Sequence, residues 1–96
     1  MPGGIKNIYE CTVPAVEGIQ GSLHYFATEC EISIEGIKAK VYGIRVEKRL
    51  KDSVEESEEY CDVTTKYDEI LFLTKLMSRN SVTPVSVLNV IEDYIS

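Results

Sequence analysis

LHYFATECEISI (Leu23–Ile34), EG (Glu35-Gly36) and IKAKVYGIRVEKRL (Ile37–Leu50) together decide the fold. Two long runs rich in β-branched and aromatic residues flank a dipeptide whose glycine permits the positive φ of a two-residue hairpin turn. The turn fixes the register: Ile34 faces Ile37, Ile32 faces Ala39, Cys30 faces Val41 and Glu31 faces Lys40. Continued without interruption, that register places Ile44 and Val46 on the opposite side from Val41, because strand side chains alternate with period two.

A bulge at Tyr42-Gly43 would reconcile these positions, since one extra residue shifts the alternation. With it, Thr28 meets Ile44 and Phe26 meets Val46. One face then carries Phe26, Cys30, Ile32, Ile34, Ile37, Val41, Ile44 and Val46. Tyr25, Glu29, Lys38, Arg45 and Glu47 turn to solvent, as expected of an antiparallel sheet covered on one side.

Working outward, Ile5 to Val13 reads as a first strand stopped by Pro14, and Gly18 to Gly21 as a loop. Lys51-Asp52-Ser53 is a polar turn, returning the chain as a fourth strand over Val54 to Val63, antiparallel to the third. Its carboxylates would lie across from Arg45, Lys48 and Arg49, and its polarity suits a sheet edge. From Thr65 the period becomes helical. Thr65 and Asp68 have capping-box spacing, and Ile70, Phe72, Leu73, Leu76 and Met77 form a stripe ending at Arg79-Asn80. Thr83-Pro84 starts a second helix with Val87, Leu88, Val90, Ile91, Tyr94 and Ile95 on its apolar side. The expected fold class is α+β: an antiparallel meander of about four strands followed by two C-terminal helices packed on one face, as a single domain over residues 1–96.

The chain has 96 residues, 44% of them apolar and 27% charged, with a net charge of −6. Those values suit one globular core. The negative balance argues against nucleic acid as partner, because backbone affinity comes from Lys and Arg displacing counterions. No run approaches the ~20 apolar residues of a membrane-spanning helix, so no membrane partner is expected. Cys11, Cys30 and Cys61 are odd in number and widely spaced, which suits reduced thiols in a cytoplasmic protein.

Reactive constellations are missing from the sequence pattern. His24 is the single histidine, and no adjacent serine or cysteine suggests activation by a base. Cys11, Cys30, Cys61 and His24 lack the close ligand pairs of a zinc site, so no metal is expected. Glu55, Glu56, Glu58, Glu59 and Asp62 lack the glycine of a calcium loop and read as a solvated, ion-paired strand. None of the glycines combines with a following Lys-Ser/Thr into a phosphate loop, and no cofactor is implied.

Val41-Tyr-Gly-Ile-Arg-Val-Glu-Lys-Arg49, the acidic strand, Asn80-Ser-Val-Thr-Pro-Val85 and Val90-Ile-Glu-Asp-Tyr-Ile95 resemble a family of small uncharacterised proteins of clostridia-type Gram-positive bacteria. The likeness covers about the last two thirds of the chain. It implies a bacterial cytoplasmic origin and a recurring helix start at Thr83-Pro84, and it carries no active site, cofactor or partner.

The expectation is therefore a non-enzymatic interaction or regulatory module that binds another protein or itself. Its candidate surface comprises Tyr25, Tyr42, Arg45, Glu55, Glu56, Glu58 and Glu59, types that include common interface anchors. A second reading is an acidic mimic of nucleic acid, using Glu55 to Asp62 and Glu92-Asp93 against a basic protein. A third is a small ligand-binding protein with a pocket near His24, Tyr9 or the cysteines.

Overall fold

The structure, a computed structural model, describes residues 5–14, 21–51 and 53–95. Four strands, β1 (Lys6–Pro14), β2 (Ser22–Ile34), β3 (Ile37–Leu50) and β4 (Ser53–Thr64), form one antiparallel meander in the order β1-β2-β3-β4. Helix α1 (Tyr67–Arg79), a 3-10 turn (Pro84–Ser86) and helix α2 (Val87–Ile95) follow. The expected α+β class, strand count and helix order all hold. The loop read at Gly18 to Gly21 falls mostly outside the described residues, as does Asp52 in the turn before β4.

Both turn residues between β2 and β3 have positive φ, 53° at Glu35 and 81° at Gly36, the combination that matches the right-handed twist of the flanking strands. From this turn the ladder runs unbroken from Ile34↔Ile37 through Thr28↔Gly43 to Ser22↔Arg49. The bulge expected within this pair is absent. Thr28 meets Gly43, Ala27 meets Ile44 and Tyr25 meets Val46, so Ile44 and Val46 point away from the face that holds Phe26, Cys30, Ile32, Ile34, Ile37 and Val41.

The two halves of the hairpin use opposite faces. In the half near β1 and β4, Leu23, Tyr25, Ala27, Ile44 and Val46 bury themselves against Ile70, Leu73 and Met77 of α1 and Val87 and Ile91 of α2. In the half near the turn, the apolar side chains occupy the reverse face. A 13-residue helix is only about 20 Å long, whereas a strand of that length extends roughly 45 Å. One helical layer cannot cover the whole hairpin, and no bulge is needed to keep a single face apolar throughout.

The irregularity lies instead between β3 and β4. Tyr42↔Thr64 is followed by Ile44↔Tyr60, so Gly43 alone opposes three residues of β4. A Cβ on Gly43 would stand 2.1 Å from the Tyr60 carbonyl oxygen and 2.7 Å from the Cys61 Cα. The β4 backbone occupies the space a side chain would take. A smaller irregularity occurs at Lys48/Arg49, where Glu55 is the additional residue.

Tyr25, expected in solvent, is fully buried. Its hydroxyl donates to the Val82 carbonyl oxygen at 2.8 Å, which supplies the partner a buried phenol needs. That carbonyl is placed by the end of α1: Ser81 takes φ 50°, and the Val82 amide returns to the Met77 carbonyl at 3.1 Å. The start of α1 also departs from the expected capping box at Thr65 and Asp68. Helix α1 begins at Tyr67 with no side-chain cap. Thr64, the residue before Thr65, accepts from the Lys66 amide at 3.1 Å and donates to Glu69 Oε1 at 2.6 Å. Pro84 opens the second helical segment as expected.

Burial, with a smaller contribution from the nearby Cys11, pushes the Tyr25 phenol up to about 12. Because the folded value exceeds the unfolded one near 10, this stabilisation is complete below pH 10 and is lost as pH rises through about 12. Tyr25→Phe should lower stability at pH 8 by about 1 kcal/mol through the lost hydrogen bond, and should flatten the decline between pH 10 and 12. Urea unfolding midpoints of both proteins across that range provide the check; parallel declines would contradict it.

Candidate interaction surface

Among the described residues, β1 pairing reaches Glu29 and β4 pairing reaches Tyr42. Residues 30–34 and 37–41 extend beyond both, forming a two-stranded arm with no further strand beside it among the described residues. Alternation gives the arm two unlike faces. One presents Glu29, Glu31, Lys38 and Lys40, joined diagonally by Lys38–Glu31 and Lys40–Glu29 contacts of 3.9 Å each. The other presents Cys30, Ile32, Ile34, Ile37, Ala39 and Val41. Val41 is buried at the arm's base, while Ile34 is 60% and Ile37 71% exposed.

This apolar face was expected to be the core. It was displaced from that role by the uninterrupted β2–β3 register. Large exposed apolar side chains gathered on one face are more informative than scattered ones. The signal was present in the sequence as strict alternation over Glu31 to Val41, although alternation alone does not reveal which face a helix will cover.

Below the arm, the same face becomes polar. Arg45 lies over the Phe26 ring at 4.2 Å, a contact worth about 0.5–1 kcal/mol at a partly exposed site. Arg45 Nε is 3.2 Å from Glu47 Oε2, an ion pair without hydrogen-bond alignment, and its Nη1 is 3.6 Å from Glu59 Oε2. Arg49 Nε donates to Glu47 Oε1 at 2.9 Å. Glu47 thus holds two guanidinium groups.

His24 sits on this face too. Its Nε2 is 2.8 Å from Ser22 Oγ and its Nδ1 3.1 Å from Thr12 Oγ1. The sequence reading missed Ser22 as a neighbour, although two residues apart on a strand share a face. Both ring nitrogens thus lie against neutral hydroxyls, whereas a hydrolytic triad sets a carboxylate on the second nitrogen.

The seven candidate surface residues do not form one patch. Tyr25 is in the core, and Tyr42 is half-buried on the helix side, edge-on to Tyr67 at 5.8 Å. Arg45 lies on the reverse face. Glu55, Glu56, Glu58 and Glu59 are exposed along β4. Glu59 engages Arg45, Glu56 engages Lys48 at 3.6 Å, and Glu58 accepts from the Tyr60 hydroxyl at 3.5 Å.

The cysteines are free and half-buried. Burial pushes the Cys61 thiol up, reinforced by Glu59, Cys30 and Asp62, which disfavours the reactive thiolate. Among the described residues, no group of three or more His, Cys, Asp or Glu side chains is placed to hold a metal ion. No described helix is long and apolar enough to cross a membrane.

The sheet, its projecting arm and the helices that cover the other half of one sheet face define a small α+β domain. The chain belongs to a family of unknown function, DUF6514, whose match spans residues 5–96. No curated protein and no solved structure matches it.

Proposed function

We propose that this domain is a non-enzymatic protein-interaction module of the bacterial cytoplasm, and that it binds through the apolar face of the β2–β3 arm. The carrying observation is the exposure of Ile34 and Ile37 at the tip of a ribbon whose apolar residues all point one way. Burying an isoleucine side chain contributes about 1.5–3 kcal/mol, so two at the tip supply a useful anchor. Three free cysteines suit a reducing compartment. The acidic-mimic reading draws less support, because Glu56 and Glu59 are already engaged by Lys48 and Arg45.

The test places a photoreactive amino acid at Glu35 and irradiates cells that make the protein. The expected result is a covalent adduct with a protein, identified by mass spectrometry, that disappears when Ile34 and Ile37 are both changed to lysine. Failure to cross-link any protein, or adducts indifferent to those changes, would refute the assignment.

A further inference from the structure

We propose that the occupant of the arm's apolar face is a second copy of this chain, the two arms packing face to face across a twofold axis. This inference rests on the arm being the interaction surface. Placing that axis near Ile32 and Ala39 sets the tip residues Ile34 and Ile37 of each copy over the Cys30 level of the other. Two twisted ribbons stacked in this way follow ordinary sheet-on-sheet packing at about 10 Å.

Charge placement favours self-association here. The chain carries a net charge of −6, so most contacts between copies would be repulsive. On the arm, the apolar face has no charged residue, and the charges behind it are matched as Lys38–Glu31 and Lys40–Glu29. The acidic residues Glu55 to Glu59 lie beside the Arg45 to Arg49 segment of β3. From Ile37 to Arg45 the strand runs roughly 25 Å at ~3.3 Å per residue, beyond the ~10 Å screening length at 0.1 M salt. The arm is where two such anionic chains can meet without opposing their acidic edges.

The available area sets the strength. Ile34 and Ile37, 60% and 71% exposed, supply most of the open part of the face, so a symmetric pair buries less than the ~1,200 Å² where stable interfaces begin. The dimer is accordingly transient and concentration-dependent. Each copy is 50 Å along its longest axis, which lets the two bodies lie at opposite ends of the joined arms.

Sedimentation of the purified chain from about 10 μM to 1 mM tests this. The expected average mass rises towards twice the monomer value, with no loss at 0.5 M salt. Ile34→Lys with Ile37→Lys should keep the circular dichroism spectrum and remain monomeric. A monomer at every concentration, a dimer that dissolves in salt, or one unaffected by the two lysines would overturn the proposal. If instead the Glu35 photoadduct in cells contains a different protein while the purified chain stays monomeric, self-association falls and the interaction-module reading stands. Loss of folded structure in the double variant is resolved by Ala39→Lys, which should likewise prevent dimerisation; a dimer retained there counts against the twofold arrangement.

Discussion

Gly43→Ala is expected to destabilise the domain by about 2–4 kcal/mol, at or above the upper part of the ~1–3 kcal/mol typical of overpacking, because the walls of this filled site are main chain and cannot retreat. The added methyl would collide with main-chain atoms, the Tyr60 carbonyl oxygen at 2.1 Å and the Cys61 Cα at 2.7 Å, not with a side chain that could rotate aside. Relief requires β4 to move away, which would disturb the Tyr42↔Thr64 and Ile44↔Tyr60 pairings on either side. A domain of this size has total stability of roughly 5–15 kcal/mol, so a large share is at stake. With about 4–8 °C of melting temperature per kcal/mol, calorimetry should record a fall of 10 °C or more. Gly36→Ala makes a useful contrast: no atom lies within 4 Å of its Cβ position, and only the φ of 81° opposes the change. Its cost should be about 1–2 kcal/mol. A Gly43→Ala protein as stable as the parent would mean that β4 does not cross the glycine so closely.

The second large effect separates two isoleucines that the sequence reading put on one face. Ile44→Ala should cost about 3 kcal/mol, within the 2–5 found for truncating buried aliphatic residues, because Ile44 is fully buried among Leu23, Val46 and Leu73. Ile37→Ala should change stability by less than about 0.5 kcal/mol, as surface changes usually do, since Ile37 is mostly in solvent. Urea denaturation of dilute samples, where no self-association contributes, measures both. Equal costs at the two positions would show that the hairpin does not switch faces along its length.

Local chemistry made much of this architecture legible. Glu35-Gly36 fixed the register of the upper hairpin to the residue, and Pro84 marked the start of the last helical segment. The charge inversion between β3 and β4 foretold acidic partners across from Arg45 and Lys48, which are Glu59 and Glu56, whereas Arg49, expected to face a carboxylate too, opposes Val54 and turns to Glu47 on its own strand. What escaped was information held by distant parts of the chain. Nothing within residues 23–50 says that α1 will cover only the half containing Ile44 and Val46, so a bulge was invoked to make the whole ribbon one-sided. Tyr25 was placed in solvent because alternation sets it on the face opposite Phe26, yet that face is the buried one there, and the group that satisfies its phenol is the Val82 carbonyl, 57 positions further on. Gly43 was recognised as unusual, but its use in admitting the β4 backbone depends on a strand not yet placed. The candidate surface shifted for the same reason: exposed tyrosines and acids were sought, whereas the exposed feature is a row of isoleucines.

The ribbon, which no other strand flanks among the described residues, also divides the molecule thermodynamically. Residues 22–28 and 43–49, with strands on both sides and helices above, are expected to exchange their amide protons only when the shared core comes apart. Residues 30–34 and 37–41 are expected to part and rejoin while that core stays intact. Two levels of opening free energy therefore coexist in one continuous hairpin. A contact that clasps the outer segment would suppress its fraying with little demand on the remainder.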